Sequence, residues 1–355
     1  MATSDQYLDL DGVSVRADTV RFDLLDQANT LIGTATPQGD AASIACDGNQ
    51  SIKRKLSGVT LMATDVTAIN PLRDRLRPVW VLPNGAEYLC GVFLFADASD
   101  RRYSYGLTRD ATLVDQGLIT GQPLATRLSW SAGTLVTDAL RQTAEAAGIY
   151  AYSIDTSSAT IGSAIAFEPG KANTYQKVLD YLAGFAGFFN PYFDNAGLLR
   201  ARTIPDLASV TPTLVYAGGN AGRILAGSMV EANDLLSAPN RYIVVDTSGT
   251  SGAVSATYDV PSSAPHSIAQ RGFVIPKWIE APGVGNVDQA LAVAQAAATQ
   301  EPQAYQTVAF SSPADPRHDT WDVISYLGQT YIETSWKLKL APGGPMEHTA
   351  QRVYL

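Results

Sequence analysis

The residue types that most often do chemistry are few in this sequence and widely spaced. The histidines, His266, His318 and His348, lie 52 and 30 residues apart, and none belongs to a His-Glu-x-x-His motif or to another zinc-ligand spacing. The 34 acidic residues could include a carboxylate pair for glycoside hydrolysis, but such a pair is defined by its separation in space. No catalytic, cofactor-binding or metal-binding residue is therefore predicted.

The densest local group of such residues is Asp315, His318, Asp319 and Asp322. It could form a metal or acid/base site, because histidine and aspartate serve as ligands and as proton carriers. The proline at position 316 instead favours a turn before a strand, in which aspartate side chains accept hydrogen bonds from the local backbone. We predict the turn.

Motifs for nucleophilic and nucleotide chemistry are incomplete. Gly-x-Ser-x-Gly does not occur, and segment 248–252 has the composition of a loop. Gly283-Val-Gly285 precedes a predicted helix, as in a dinucleotide-binding motif. However, Asp288 stands at the third glycine position, where its charge would repel a pyrophosphate. We expect a tight turn that caps the helix.

Calcium-binding and redox motifs are incomplete as well. The segments that begin at Asp9 and Asp194 lack the full ligand set and the terminal glutamate of a calcium loop. Cys46 and Cys90 have no Cys-x-x-Cys spacing, and two cysteines cannot build a disulfide framework, although the sequence leaves open whether they pair. Both lie beside predicted strands, where a free cysteine packs as a small apolar side chain.

The distribution of charge argues against a dedicated nucleic-acid-binding surface. The chain carries 25 basic and 34 acidic residues, a net charge of −9, and no third of it is basic. The richest basic cluster is Lys53-Arg54-Lys55, where we expect a solvated edge or an interface. Sequence-specific nucleic-acid binding needs a denser array of cations and is not expected.

No targeting or membrane-spanning segment is predicted. The amino terminus shows neither the basic nor the apolar region of a signal peptide. The apolar stretch 182–193 is too short to cross a bilayer and contains Pro191. We expect synthesis in a reducing cytoplasm.

The elements that would position these residues change in character along the chain. Residues 1–107 alternate between apolar and polar side chains, which predicts a small β-barrel or β-sandwich, and we assign them to a β-barrel domain. Within it, Asn84-Gly85 is typical of a primed hairpin turn. The predicted strands are 20–25, 51–62, 78–82, 86–95 and 101–110.

Residues 108–205 take on a helical period and are predicted as an α+β decoration domain. One helix covers 134–147 and ends at Gly148, and a second covers 175–186 with Thr174 as its N-cap. A hairpin of 188–193 with 198–203 follows.

Residues 206–355 are again rich in strands and contain one alanine-rich helix at 287–300, capped by Asn286. Segment 247–256 is predicted as a loop. The fold class is therefore α+β, mainly β, with two β-barrel-like domains that flank the decoration domain. The predicted strands are 241–246, 305–311, 322–327, 329–340 and 351–355.

Several short sequence segments occur in a characteristic order along the chain. They include Arg-Pro-Val-Trp-Val-Leu at 77–82, Gly-Val-Phe-Leu at 91–94, and segments 105–110, 173–175, 190–198, 239–245, 315–317, 322–324, 333–338 and 342–346. As an ordered set covering most of 15–355, they resemble phage minor tail proteins of the baseplate or tail-tip hub family. Segment 247–285 shows no such resemblance.

The resemblance implies a structural, non-enzymatic virion protein, synthesised in the host cytoplasm and located at the tail tip. Hubs of this family have two tube-type β-barrel domains and form trimers, which adapt a sixfold tail tube to a threefold tip and form part of the DNA-ejection channel. The implied partners are a distal tail or tube protein, the tape-measure protein and a central spike or fibre protein. No cofactor is implied.

Two alternatives stay open at this point. The 16 Tyr and 5 Trp residues could serve a carbohydrate- or receptor-binding tail module by stacking on sugars. However, Trp80, Trp278 and Trp336 lie in predicted strands, where packing in the core is expected. A cell-wall polysaccharide hydrolase would rest only on acidic residues that the sequence does not place.

Overall fold

A computed structural model of the chain describes residues 18–104, 106–207, 209–217, 223–246, 254–301 and 303–354. Its first third consists of strands, because buried and exposed side chains alternate there. The elements are β1 (Thr19–Leu25), β2 (Leu31–Ala35), β3 (Ser43–Asp47), β4 (Arg54–Leu61), α1 (Ala63–Ala68), β5 (Arg75–Val81), β6 (Glu87–Leu89), β7 (Phe93–Tyr103) and β8 (Gly106–Asp115).

Two amphipathic helices dominate the middle of the chain, as predicted. The first ends at Gly148, which has a φ of +82°, and in the second the Thr174 hydroxyl accepts a hydrogen bond from Lys177 N at 3.2 Å. The elements are α2 (Gly117–Thr120), β9 (Pro123–Leu124), β10 (Leu128–Trp130), α3 (Val136–Ala146), β11 (Tyr152–Ile154), β12 (Ile165–Phe167), β13 (Gly170–Thr174), α4 (Tyr175–Phe185), β14 (Tyr192–Phe193) and β15 (Leu199–Ala201).

The last part returns to strands around one long helix, whose predicted cap is confirmed: Asn286 Oδ1 accepts from Gln289 N at 2.9 Å. The elements are β16 (Leu214–Tyr216), β17 (Val230–Asn233), β18 (Arg241–Asp246), β19 (Val254–Asp259), α5 (Ile268–Arg271), β20 (Pro276–Glu280), α6 (Val287–Thr299), β21 (Gln306–Pro313), β22 (Val323–Tyr326), β23 (Gln329–Lys339) and β24 (Pro345–Arg352).

The hairpin around 83–85 is present between β5 and β6, but its turn differs from the predicted one. Gly85 has a φ of +82°, whereas Asn84 does not enter the left-handed region. Leu82 N donates to Ala86 O at 2.9 Å, so three residues form the loop. Pro83 causes the difference, because its ring holds φ near −65° and favours an ordinary type I turn followed by glycine.

Three strand and loop predictions were wrong. Segment 101–110 is not one strand but the end of β7 and the start of β8, and the predicted boundary at 107 falls inside β8. The end of β7 is exposed throughout, so alternation carries no signal there. The final strand, predicted at 351–355, is β24, which starts at Pro345. Residues 254–256 of the predicted loop 247–256 belong to β19. The rest of that loop, 247–253, lies outside the described residues.

Within the described residues, fourteen strands form one continuous sheet. Its main path is β17-β21-β24-β23-β3-β4-β8-β7-β5-β1-β2, while β22 joins β23 to β16 and β6 joins β5. We call β3-β4-β8-β7 the N-terminal half-sheet and β17-β21-β24-β23 the C-terminal half-sheet. The two are neighbours, because β23 pairs with β3.

Each half-sheet has its own apolar core. The N-terminal core contains Trp80, Phe93 and Leu56, together with Trp336 and Leu338 from β23. The C-terminal core is aromatic and contains Tyr216, Phe310, Ile324, Tyr326 and Tyr331.

The α+β region is assembled from two separate stretches of chain, which differs from the predicted sequential domains. Strands β18–β20 and helix α6 share one hydrophobic core with α3 and α4, so the described residues 241–246 and 254–299 pack with the middle of the chain. We call the elements α2 to β15 together with β18 to α6 the insert. Trp278 on β20 is 67% exposed rather than buried in a core, because it lies on the face of the sheet opposite to α6.

The two stretches of the insert approach most closely at Gly162 and Gly285, and substitution of Gly162 tests that contact. Gly162 N donates to Gly283 O at 2.8 Å, and a Cβ added at position 162 would lie 1.8 Å from the Gly285 Cα. We expect Gly162→Ala to lower the free energy of unfolding by about 2–3 kcal/mol in urea denaturation, because the backbone must move apart.

Gly33→Ala is the matched control, since an added Cβ there meets nothing within 4 Å. It should change stability by less than about 0.5 kcal/mol. Equal effects of the two substitutions would show that the two stretches do not pack as described.

Candidate functional site

The two half-sheets meet at a seam that contains several buried ionisable groups, among them Arg54, His318 and Glu333. The seam consists of β3, the start of β4, β23 and the loop 314–322 between β21 and β22. Its backbone register is set by antiparallel pairs such as Cys46 with Trp336 and Ile44 with Leu338. Because this strand pairing is continuous, the seam fixes the position of one half-sheet relative to the other.

Arg54 is the central cation of the seam and is only 1% exposed. Its guanidinium donates one hydrogen bond to Asp319 Oδ1 and another to Thr320 Oγ1 at 3.3 Å, and it lies over the Trp336 ring, 5.5 Å from the centroid. A buried charge is tolerated only when it is paired and hydrogen-bonded, and Asp319 supplies the opposite charge. This ion pair links β4 of the N-terminal half-sheet to the loop of the C-terminal one.

Arg54 also ties in the insert. Its second terminal nitrogen donates to Asn195 Oδ1 at 2.6 Å, and Asn195 Nδ2 in turn donates to the His318 carbonyl at 2.9 Å. Asn195 lies in the turn between β14 and β15. One side chain therefore contacts all three parts of the molecule.

The cluster Lys53-Arg54-Lys55 was expected to form a solvated edge or an interface, and only Lys55 faces solvent. Lys53 is 4% exposed, and its ammonium donates to the carbonyls of Gly48 and Gln50, each at 2.9 Å. Lys53 precedes β4, and the turn between β3 and β4 supplies its acceptors, whereas Arg54 opens β4 and enters the seam.

The predicted turn at 315–322 is confirmed. Asp315 Oδ1 accepts from Arg317 N at 3.1 Å, and Asp322 Oδ2 accepts from Asp319 N at 2.7 Å. The same loop also carries the acid that pairs with Arg54 and a buried histidine, His318, so the turn positions side chains as well as backbone.

His318 belongs to a hydrogen-bonded network at the buried face of the C-terminal half-sheet, which we call the Glu333 network. Glu333 on β23 binds both histidines, with Oε2 at 2.5 Å from His318 Nδ1 and Oε1 at 2.6 Å from His348 Nδ1. On the other side, Tyr216 Oη lies 2.6 Å from His318 Nε2, and Ser312 Oγ lies 2.8 Å from His348 Nε2. The Ser312 hydroxyl also lies 2.8 Å from the Pro313 carbonyl, so the contacts form an open chain centred on Glu333.

The pKa values of the two histidines shift in opposite directions. Burial alone would lower the pKa of His318, but Glu333 more than offsets this and raises that pKa above 6.5. For His348 burial prevails, and its pKa is lowered.

Glu333 is the buried anion of the Glu333 network. Burial would raise its pKa, but the two histidines outweigh burial and hold the pKa below its usual 4.5. The directions of the three pKa shifts favour a charged His318 beside a charged Glu333, with His348 neutral. Such a network is stable in a low-dielectric interior because opposite charges are paired and hydrogen-bonded.

The Glu333 network also contains the sequence of hydrogen bonds found in a Ser–His–Glu catalytic triad, and it contains the residue types of a metal site. Ser312, His348 and Glu333 are each at most 2% exposed, so no substrate carbonyl reaches the serine hydroxyl in this structure. His318, Glu333 and His348 place candidate ligand atoms within 4.8 Å of one another. Their ring nitrogens and carboxylate oxygens are already engaged in hydrogen bonds, which favours a structural role over metal ligation.

Sequence reasoning singled out His318 and His348 separately but missed that Glu333 joins them. The available signal was a glutamate directly after the apolar pair Tyr331-Ile332 in a predicted strand, since a buried glutamate is costly unless a partner is present. Tyr216 and Ser312 carry no sequence signal, because both residue types are common in strands. His266, the remaining histidine, stacks on Tyr305 elsewhere in the molecule.

The other motifs that were set aside have structural roles where they are described. Gly283, with a φ of +91°, forms the turn before α6, and Asp194 Oδ1 accepts from two backbone amides in the β14–β15 turn. Cys46 and Cys90 are free and buried, and burial raises the pKa of each thiol to about 12. The segment that begins at Asp9 and segment 248–252 lie outside the described residues.

Comparison with known structures places the fold among tail proteins. The tail protein from Neisseria meningitidis MC58 superimposes with a TM-score of 0.61 at 12% identity, over 95% of this chain and 98% of that chain. The 43 kDa tail protein of prophage MuSo2 from Shewanella oneidensis gives 0.60 at 12% identity, over 94% and 98%. An Escherichia coli component of the type VI secretion system, described as similar to T4 bacteriophage tail proteins gp27 and gp5, gives 0.51 at 9% identity, over 96% and 75%.

The chain therefore has the fold of phage tail proteins, and the resemblance seen in the sequence is confirmed at the level of fold. No protein-family model matches the chain, and no curated protein matches its sequence. Among the described residues, none of the helices has the length and apolar character needed to cross a membrane.

Removal of the Arg54 guanidinium should be strongly destabilising. We expect Arg54→Met to lower the free energy of unfolding by about 3–5 kcal/mol, because Asp319 and Asn195 lose their partner inside the seam. The double variant Arg54→Met/Asp319→Asn should lose less than the sum of the single variants. Lys55→Met, on the exposed side of β4, is the control and should stay within about 0.5 kcal/mol of wild type.

Chemical denaturation of these four variants measures the coupling. A loss below about 1 kcal/mol for Arg54→Met, or strict additivity with Asp319→Asn, would contradict the role given to this ion pair.

The burial of His348 in the Glu333 network predicts that the free energy of unfolding falls in acid. The folded-state pKa of His348 lies below its ordinary 6.5, so the unfolded chain binds more protons and stability falls as pH drops through 6.5. His348→Asn keeps a donor toward Glu333 but does not titrate. The stability advantage of wild type over this variant should shrink by up to about 1.4 kcal/mol per pH unit below pH 6.5.

The difference between the two proteins isolates His348, because other buried acids titrate in both. Asp115 and Asp322, whose pKa values burial raises to about 6, act in the opposite direction in each protein. Parallel curves of unfolding free energy against pH for wild type and His348→Asn would show that His348 is not held neutral in the Glu333 network.

Proposed function

We propose that this chain is a structural, non-enzymatic hub protein of a phage tail tip or baseplate, which closes with other copies into a ring around a channel. The observation that supports this proposal best is that its main sheet repeats one arrangement twice and leaves the edge that would continue the repeat unpaired.

The repeat is visible in strand order and length. In each half-sheet four antiparallel strands end on an eleven-residue strand, which is β7 in one and β23 in the other. The start of each long strand also pairs with a backing strand, β5 or β22 respectively. The two half-sheets are thus equivalent building units despite their different sequences.

The far end of β23 pairs with β3, the first strand of the N-terminal half-sheet. In β7 the equivalent stretch, residues 95–103, pairs with β8 on one side and with no described strand on the other. The equivalent of β3 in the C-terminal half-sheet is β17, whose outer edge is also unpaired among the described residues. We infer that β7 of one copy pairs with β17 of the next, which repeats the seam between copies.

The surface around β17 fits such a contact. All four of its residues are exposed, and Met229, Val230, Leu235 and Leu236 leave apolar surface on this side. Unpaired strand edges and clustered exposed apolar residues promote association unless a partner covers them. A heterologous contact of this kind forms a closed ring when its rotation closes.

Three copies would supply six half-sheets, matching a sixfold tail tube to a threefold tip. The assembly would lie in the tail of the virion after synthesis in the host cytoplasm, in contact with a distal tail or tube protein, the tape-measure protein and a central spike or fibre protein. The net charge of −9 suits a channel through which DNA passes without sequence-specific binding.

The carbohydrate-binding and hydrolase alternatives have less support as the main function. The Ser–His–Glu arrangement that would favour a hydrolase is buried in the C-terminal core. Four of the five tryptophans, Trp80, Trp130, Trp321 and Trp336, pack inside, which leaves Trp278 as the exposed one.

A proline on the outer side of β17 should prevent ring closure without harming the chain itself. Asp234 N donates to Tyr305 O at 2.7 Å, so by alternation the Asn233 N–H points away from β21. Asn233→Pro removes that outward donor and leaves the bonds to β21 in place. We expect this variant to remain a 37.7 kDa monomer in light scattering, with a melting temperature close to that of wild type.

Asn233→Ala is the matched control, since it removes the same side chain but keeps the N–H, and it should assemble as wild type does. Assembly of the proline variant at wild-type concentration would exclude β17 as the closing edge.

A further inference from the structure

A cleft of about 330 Å³ lies in the insert between α4, α6 and β20. Its floor is made of small residues from the two helices, Gly184, Ala296 and Ala297. The volume falls within the range of small-molecule sites and is too small for a folded partner. The cleft is separate from the seam and from the two edges proposed to close the ring.

Gly184 leaves this space open without a packing reason of its own. It lies inside α4, where glycine is less favourable than alanine, and it has an ordinary helical backbone. A Cβ added there would have Val293 Cγ2, at 4.0 Å, as its only neighbour within that distance. The helix could therefore carry a larger side chain, and that side chain would fill the cleft.

One wall of the cleft is aromatic. Tyr181 and Phe185 lie on successive turns of α4 with ring centroids 5.0 Å apart, and Ile279 of β20 extends the apolar surface. The Tyr181 hydroxyl donates to the Pro282 carbonyl, which fixes the orientation of the ring. A half-exposed ring held in this way offers a face for stacking.

The opposite side carries neutral polar groups. The side-chain amides of Asn49 and Asn190 line the cleft and make no hydrogen bond within the described part of the chain. Gln300 contributes a third amide, which accepts from Asn190 N at 2.7 Å and so helps to place that residue. The amides of Asn49 and Asn190 each offer both donors and an acceptor to a ligand, whereas the Gln300 amide is engaged within the protein.

Three charged residues of the described chain line the cleft, and of these Glu280 is exposed to solvent while Lys277 and Asp180 have partners. Lys277 donates to Glu301 at 2.7 Å, and Asp180 accepts from Gln176 at 2.8 Å. Burial raises the pKa of Asp180 and so favours its neutral form. The cleft therefore offers no free cation for a phosphate or carboxylate ligand.

We propose that this cleft binds one ring of a neutral saccharide. A pyranose has an apolar C–H face, which stacks on an aromatic ring, and hydroxyls at its edge, which both donate and accept hydrogen bonds. The Tyr181 wall and the Asn49 and Asn190 amides present these two complements across the cleft. This binding goes beyond ring assembly and does not depend on it.

Saturation-transfer NMR and chemical-shift titration of the full chain with D-glucose, D-galactose and N-acetyl-D-glucosamine test the proposal, with inorganic phosphate as the anionic comparison. At least one of the three sugars should bind with a dissociation constant of about 1 mM, a value typical of a ligand this small. Gly184→Leu, which fills the cleft, should weaken binding at least tenfold. Gly184→Ala adds only one methyl group and should retain it.

Asn190→Ala provides a second test that does not depend on how Gly184→Leu packs, and it should weaken the same sugar severalfold while the melting temperature stays near that of wild type. Absence of binding by all three sugars would overturn the proposal. So would sugar binding that survives both Gly184→Leu and Asn190→Ala, or binding of phosphate alone. Each of these results can be obtained whether or not the chain forms a ring.

Discussion

The buried ion pair between Arg54 and Asp319 is the constraint on which the arrangement of the whole molecule depends. A guanidinium removed from water is costly unless acceptors surround it, and here both terminal nitrogens of Arg54, on the N-terminal half-sheet, donate to acceptors from the two other parts of the molecule. The cost can be offset only when the two half-sheets and the insert are all in place. One side chain thus couples the folding of three units with separate apolar cores.

The same pair has a consequence for strand register. A slip of one residue between β3 and β23 would turn Cys46 and Trp336 to the opposite face of the sheet, and it would also separate Arg54 from the Trp336 ring. The Glu333 network also holds β23 in place, because Glu333 binds His318 of the loop and His348 of β24. Polar groups therefore define the geometry of the seam, while apolar burial supplies most of its stability. A rigid seam is what a subunit needs if the same joint is to recur between copies.

The sequence predicted what local physics determines and missed what depends on distant partners. The caps of α4 and α6, the strand β18 and the turn at 315–322 follow from residues within a few positions of one another, and all were predicted. Arg54 was assigned to a solvated edge or an interface because its acceptors lie 141 and 265 residues away. The packing of β18–β20 and α6 against α3 and α4 was missed for the same reason, because these elements are distant in sequence. Trp278 misled in the opposite sense, because a tryptophan in a strand is usually buried and this one lies on an open face.

Averaged electron-microscopy images of the full-length chain, taken from a peak whose mass is measured by light scattering, test most directly whether two equivalent half-sheets per chain close into a ring. The proposed trimeric assembly predicts a particle of about 113 kDa, three times the 37.7 kDa chain, with six similar lobes around an open centre. A compact monomer at every concentration, or an oligomer without a central opening, would contradict it.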